Sequence, residues 1–174
     1  GWSDPFSQPA FTERQNAYGQ RFHLDGIYTP QVVVNGEVQV VGSDGDGILR
    51  ALQSQNRRTP LTVHIVSATP SGKSLSVTFS VAGQAPGSGA DIYAVIADDL
   101  TSSNVLRGEN SGRHLSHVSV ARSLTRIATV KAAITVTASL PEPTQGESTG
   151  GRHLILFAQV PGLGQVLSVE SRAL

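Results

Sequence analysis

The segment from Pro30 to Gly42 constrains the fold of this chain more than any other stretch. Two valine-rich runs, at 32–34 and 38–41, flank the dipeptide Asn35-Gly36. Asn and Gly both accept positive φ, so the pattern predicts a β-hairpin that turns at this dipeptide. Because proline has no N–H to donate to a strand ladder, we expect Pro30 at the start of the first strand rather than inside it.

A helix is predicted on the amino-terminal side of the hairpin. Ser7 is the candidate N-cap, and Pro9 fits the first turn, where its missing N–H is not needed. The helix is expected to end by residues 23–26. Its aromatic residues share one face by their spacing, and this apolar stripe consists of Phe11, Tyr18 and Phe22.

A second helix is predicted after the hairpin. Ser43 or Asp44 can cap its amino terminus. Its apolar side is expected to consist of Ile48, Leu49 and Leu52. Residues 1–58 are therefore predicted to form a helix, a strand, a second strand and a helix.

Beyond residue 58 the apolar period changes to two. Segments 61–65, 75–81 and 134–138 alternate between apolar and polar residues and are rich in Thr and Val, which favour strands. Further strands are predicted at 92–97, 154–160 and 166–170, with Pro- and Gly-rich turns between strands. Roughly seven or eight short strands indicate an antiparallel β-sandwich-like domain over residues 59–174, so the chain is expected to be α+β.

Composition excludes several classes of function. Thirteen Lys plus Arg balance thirteen Asp plus Glu, and without a basic run we do not expect nucleic-acid binding. No apolar run is long enough for a membrane-spanning helix. The chain has no cysteine, so it cannot form the thiolate that thiol-disulfide exchange requires. No cofactor is predicted.

Several motifs resemble those of a known protein family. They are GWSDPF at 1–6, FT at 11–12 with Arg14, Gln15 and Tyr18, YTPQVVVNG at 28–36, VGSD at 41–44 and RGENSGR at 107–113. In these motifs the chain resembles domain-of-unknown-function family 1223, a family of secreted bacterial proteins.

The resemblance implies a fold and a location. Residues 1–58 would be the carboxy-terminal half of a thioredoxin-like domain with a cis-proline at Pro30, followed by the β-rich domain at 59–174. The protein would be exported to the periplasm or secreted. Full-length members would carry a Cys-x-x-Cys segment upstream of the position of Gly1. Because the sequence starts at Gly1 and contains no methionine, we expect it to be a portion of a longer protein.

Two groups of residues are candidate ligand-binding sites. In thioredoxin-like proteins the backbone before the cis-proline binds extended substrates, which indicates Tyr28, Thr29 and Pro30. The other group could bind a carboxylate or phosphate, but a structural turn is favoured, because the spacing fits neither a phosphate loop nor a dinucleotide fingerprint. This second group consists of Arg107, Glu109, Asn110 and Arg113.

Metal binding and hydrolysis are not predicted. His114 and His117 would point to opposite faces of a strand, and no Cys or His-x-His motif accompanies them. The Asp44 to Gly47 segment matches part of a calcium loop, but Gln55 stands where the closing Glu belongs. No Gly-x-Ser-x-Gly motif supplies a nucleophile.

The sequence thus predicts a non-catalytic module that binds an unknown protein or peptide partner. The alternative is a fragment of a thiol-disulfide oxidoreductase whose Cys-x-x-Cys segment lies upstream. Without the first half of a thioredoxin-like domain, the apolar faces of the first helix and the hairpin would lack their usual cover. We therefore expect either a homodimer or contact with the chain's own residues after 59.

Overall fold

The structure is a computed structural model that describes residues 4–55, 60–107, 111–143 and 150–174. This described part is α+β, and its strand pairs are antiparallel. In chain order the elements are α1 (Pro9–Arg21), β1 (Gln31–Val34), β2 (Val38–Val41), α2 (Gly45–Ser54), β3 (Leu61–Ser71), β4 (Ser74–Gln84), β5 (Ala90–Asn104), β6 (His114–Val130), β7 (Ala132–Pro141), β8 (Arg152–Gln159) and β9 (Val166–Ala173).

Helix α1 begins with Pro9, as its position in the first turn predicts, but the prediction of Ser7 as N-cap is wrong. Gln8 occupies the N-cap position with extended backbone and makes no side-chain capping bond. Ser7 instead belongs to the preceding turn, where its amide donates to the carbonyl of Asp4 at 3.1 Å. That turn delays the start of the helix by one residue.

The predicted hairpin is present. Strands β1 and β2 pair from Gln31 opposite Val41 to Val34 opposite Val38. The turn places Asn35 at φ 52° and Gly36 at φ 72°, the left-handed region that this dipeptide favours. The peptide bond before Pro30 is cis, and β1 begins at the next residue.

Helix α2 is capped by Asp44, whose carboxylate accepts a hydrogen bond from the amide of Gly47 at 2.9 Å. Of the predicted apolar side, Ile48 is half-buried, but Leu49 and Leu52 do not pack inward, because they are 58% and 54% exposed. The buried residues of the helix are Gly47 and Ala51. These small residues let the helix lie close to the hairpin, and the larger leucines point elsewhere.

The remaining strands form two sheets that share one hydrophobic core. The order of the strands is β3-β4-β7 in one sheet and β6-β5-β8-β9 in the other. Both sheets contribute side chains to the same buried cluster, which includes Phe79, Val77, Ile65, Ile92, Ile96, Leu154 and Leu156. Each predicted strand corresponds to a strand of these sheets, although the one predicted at 154–160 ends one residue earlier, at Gln159. Strand β6 was not predicted as a strand, because polar and charged residues interrupt its alternation.

Side chains of β9 cover the open edge of β3. Ser168 Oγ accepts from the amide of Val63, and Glu170 accepts from the amide of Ile65, both at 3.0 Å. Arg172 donates to the carbonyl of Ile65 at 2.7 Å. These bonds satisfy backbone groups that a neighbouring strand would otherwise pair, so the edges of the two sheets are joined.

Candidate functional site

The face of the four-stranded sheet opposite the core carries aromatic residues beneath α1. Tyr93 of β5 lies opposite Phe157 of β8, and the two rings stack with centroids 5.1 Å apart. The guanidinium carbon of Arg14 lies 5.3 Å from the ring centroids of Tyr18 and Tyr93 and 5.7 Å from that of Phe157. A cation in this position is attracted by the ring faces.

The buried amide of Gln159 joins α1 to this sheet. Gln159 is 1% exposed. Its oxygen accepts from Arg14 Nη2 at 2.8 Å, and its nitrogen donates to the Tyr18 hydroxyl at 2.9 Å and to the Gly164 carbonyl at 2.8 Å. The amide thus uses its acceptor and both donors within the protein, as a buried polar group requires.

The tip of the hairpin contacts the turn between β8 and β9. The Val166 amide donates to the Asn35 carbonyl at 2.8 Å. Gly36 is buried, and a Cβ at this position would collide with the carbonyl oxygen of Gly164. Gly36 is therefore needed both for its left-handed backbone and for this close approach.

An open cleft of about 380 Å³ lies where α1, the hairpin and strands β8 and β9 meet. Its walls are mostly apolar, and its lining contains one cation and no carboxylate. We call this the Arg14 cleft, and it is lined by Arg14, Tyr18, Val33, Asn35, Gly36, Phe157, Val166 and Val169.

The first group of sequence-predicted site residues lies just before β1. Tyr28 is half-buried, and Thr29 and Pro30 are exposed. The Tyr28 carbonyl accepts from Gln15 Nε2 at 3.1 Å, and its hydroxyl bonds to Gln39. These bonds fix Tyr28 between α1 and β2 and leave the next two residues accessible.

The described members of the second group lie between β5 and β6. Arg107 and Arg113 are exposed, while Glu109 and Asn110 lie outside the described residues. The amide of Gly112 donates to the Val105 carbonyl at 2.8 Å, so the antiparallel pairing of β5 and β6 continues beyond the ends of the two strands. Among the described residues no hydrogen bond or ion pair joins this group to Tyr28, Thr29 or Pro30.

A buried charged cluster lies further along β5. Asp98 is fully buried, and its carboxylate is 2.8 Å from Arg152 Nε and 3.7 Å from Arg122 Nε. Arg122 also lies over the ring of Phe6, 5.6 Å from its centroid, so the cluster helps to hold the segment before α1. Because Asp98 pairs with both arginines inside the protein, we interpret this cluster as a structural group of ion pairs.

The two histidines considered as metal ligands bond to different partners. His114 Nδ1 is 2.8 Å from Asn104 Oδ1, and His117 Nε2 is 2.8 Å from Ser103 Oγ. No three His, Cys, Asp or Glu side chains of the described ranges group in a way that could hold a metal ion. Neither of the two described helices is long and apolar enough to cross a membrane.

The expected cover of α1 comes from the chain itself. Tyr18 is 8% exposed, and Phe11 and Val33 are half-buried. The contacts of Tyr18 with Gln159 show that residues after 59 pack on the helix. Of the two arrangements expected from the sequence, the described residues therefore contain the intramolecular one.

Sequence patterns did not single out Arg14 or Gln159 as site residues. Arg14 was noted only as part of a family motif. A signal was nevertheless available in β5 and β8, because both carry apolar residues on both faces, at Ile92 to Ala97 and at Leu154 to Ala158. A strand with two apolar faces is covered on both sides, which points to a second layer over the sheet.

One comparison with known proteins identifies a family, and another finds solved structures with a similar fold. The model of the family described as "Protein of unknown function (DUF1223)" matches residues 1–159. The crystal structure of protein AGR_C_4864 from Agrobacterium tumefaciens superimposes with a TM-score of 0.65 at 21% identity, over 98% of this chain and 73% of that one. HBP35 of Porphyromonas gingivalis gives 0.65 at 15% identity, over 99% of this chain and 61% of that one. No curated protein matches this sequence.

Proposed function

The chain belongs to the DUF1223 family of proteins of unknown function, and on that premise we propose that it is a non-catalytic module that binds an extended peptide in the Arg14 cleft. The observation that carries the proposal is the cleft itself, which is open, apolar-walled and built jointly by α1, the hairpin and the four-stranded sheet. Its volume of about 380 Å³ is in the range of small-ligand sites.

A peptide suits the cleft because one of its walls is a strand. Val33 lines the cleft and lies on β1. Within the described ranges β1 pairs only with β2, so its other edge has backbone groups that an extended chain could pair with. Tyr28, Thr29 and Pro30 lead directly into this strand and are part of the proposed surface.

The proposal includes a finer description of the fold. The order helix, hairpin, helix in the first 55 residues supports a partial thioredoxin-like domain within residues 1–58. The core shared by the two larger sheets supports a β-sandwich-like domain at residues 59–174. Export to the periplasm or the medium completes the proposal and is supported by the resemblance of the motifs to secreted bacterial proteins.

Titration of ¹⁵N-labelled protein with short apolar peptides, as free acids and as amides, tests the proposed function. We expect the amide shifts to concentrate at Val33, Asn35, Val166 and Val169. Filling the cleft by Val169→Trp should abolish binding. The control is Val118→Trp on β6, which changes a side chain of similar exposure, 74% against 64%. Shifts centred away from the cleft, or equal binding by the two variants, would contradict the proposal.

A further inference from the structure

We infer that Arg14 is the receptor for a carboxylate, and specifically for the carboxyl-terminal group of a bound peptide. The inference rests on the proposed function and names the chemistry of its ligand. It is carried by Arg14 itself, a half-buried residue that lines the open cleft and whose guanidinium has neutral partners.

Arg14 differs from other arginines that are largely covered. Arg122 and Arg152 have side chains 13% and 22% exposed, and both pair with the carboxylate of Asp98. Within the described ranges no carboxylate lies within ion-pair distance of Arg14. Its partners are the amide of Gln159 and aromatic rings, which orient the guanidinium without neutralising its charge. A half-buried cation without an anion favours the binding of one.

The hydrogen bonds of Arg14 leave part of its donor set available. Both of its bonds to described residues come from Nη2, at 2.8 Å to Gln159 and at 3.5 Å to the Tyr18 hydroxyl. The N–H groups of Nε and Nη1 have no acceptor among those residues. The guanidinium is planar and its donors form a rigid fork, which matches the two oxygens of a carboxylate.

The rest of the cleft indicates which carboxylate fits. Its lining holds a single positive charge, which suits a monoanion better than a phosphate dianion. Val33, Val166 and Val169 form an apolar wall beside Arg14. In the last residue of a peptide the carboxylate and the side chain are attached to the same carbon, so one apolar residue can reach both Arg14 and this wall.

Three probes separate the carboxylate from the rest of the ligand. They are the peptide acetyl-Val-Ile-Val with a free carboxyl terminus, the same peptide as its terminal amide, and hexanoate. Calorimetry on the full chain at low salt should show that the free acid binds at least about tenfold more tightly than the amide. The reason is that a hydrogen bond to a charged carboxylate is stronger than one to a neutral amide. Hexanoate, which lacks a peptide backbone, should bind more weakly than the peptide acid.

Arg14→Gln tests the receptor directly. It removes the charge and keeps a side-chain donor, so the preference for acid over amide should disappear. Arg50→Gln removes the same charge from α2, where the side chain is 71% exposed, and should leave the preference unchanged. Circular dichroism and a melting curve establish that each variant is folded.

Position 169 provides a second test that leaves Arg14 in place. Val169→Glu puts a carboxylate into the lining of the cleft, where it competes for the guanidinium, whereas Val169→Gln has nearly the same shape without the charge. Both variants lose the same valine from the apolar wall, so we expect the glutamate variant to bind the free acid about tenfold or more weakly than the glutamine variant does.

The outcomes distinguish this inference from the proposed function. Equal affinities for acid and amide, with both blocked by Val169→Trp, would overturn the carboxylate assignment and leave the peptide-binding function intact. Hexanoate binding more tightly than the peptide acid would support carboxylate recognition and overturn the peptide terminus as its source. Failure of all three probes to bind in the cleft would contradict the proposed function and this inference together.

Discussion

At the scale of single residues, Gln159 joins α1 to the four-stranded sheet through two side-chain hydrogen bonds. Its buried side chain bonds to Arg14, Tyr18 and Gly164. Gln159→Ala removes all three bonds, and the groups that bonded to the amide then lose these partners inside the protein. We therefore expect the free energy of unfolding to fall by about 2–3 kcal/mol. Urea denaturation followed by circular dichroism measures the change. Gln53→Ala, on the exposed side of α2, is the control and should change stability by less than about 0.5 kcal/mol. Equal losses would mean that the amide does not hold the junction.

Two adjacent carboxylates on β5 should behave very differently. Asp98 is fully buried between Arg122 and Arg152, whereas the side chain of Asp99 is 46% exposed and pairs with His153. Asp98→Asn leaves two largely covered arginines without their anion, so the free energy of unfolding should fall by about 3–5 kcal/mol. Asp99→Asn should cost less than about 1 kcal/mol, because the Asp99 side chain is 46% exposed and a pair that solvent reaches contributes little. The same denaturation experiment compares them, and a similar loss for both would rule out a buried charge cluster.

The sequence alone could not identify the site at this scale. Arg14 and Gln159 are 145 residues apart, and neither occurs in a motif with a known mechanism. Their contact depends on how α1 lies across the sheet, which local patterns do not determine. The predicted residues Tyr28, Thr29 and Pro30 came from a backbone pattern and lie next to the strand that forms one wall of the cleft. These three residues indicate where the cleft lies, but they do not include Arg14, which supplies its positive charge.

At the scale of elements, the hairpin turn can be tested with a matched pair of glycines. Gly36 and Gly72 have nearly the same backbone conformation, with φ 72° and 66°. A Cβ at Gly72 would meet nothing within 4 Å, whereas a Cβ at Gly36 would collide with the Gly164 carbonyl. Gly72→Ala should therefore cost only the left-handed strain, about 1 kcal/mol, and Gly36→Ala about 3 kcal/mol. Thermal denaturation measures both, and equal losses would mean that the turn does not dock on the β8–β9 segment.

Elements with a strong local pattern were predictable from the sequence. The hairpin follows from Asn35-Gly36 between valine runs, and the alternating strands lie where the period of two places them. The predictions failed where packing against a neighbouring element determines which residues are buried or which strands pair. Leu49 and Leu52 look like a buried side, but α2 packs through Gly47 and Ala51 because only small residues allow its close approach to the hairpin. Strand β6 is long and interrupted by polar residues, so its pairing with β5 depends on the sheet rather than on its own pattern.

On the scale of the whole molecule, the four-stranded sheet is covered by the core on one face and partly by α1 on the other. One face contributes to the core shared with the three-stranded sheet. On the other, Arg14 and Tyr18 of α1 contact Tyr93, Phe157 and Gln159. The first 55 residues are thus attached to the sheet by polar and aromatic contacts, while the two larger sheets are joined by a continuous apolar core. The first attachment should be the weaker of the two.

Hydrogen exchange should detect this difference in strength. The amide of Gly42 reports on the hairpin, and the amide of Val166 reports on the junction between the hairpin and β9. The amide of Val77, in the central strand β4, reports on the core. In Gln159→Ala we expect the first two amides to exchange about tenfold or more faster, because opening of the junction becomes about 2 kcal/mol easier, and Val77 to change less. The Gln53→Ala control should leave all three rates unchanged. If all three amides were to accelerate equally in Gln159→Ala, the hairpin region and the core would open as one cooperative unit, and the junction would not be a separate point of weakness.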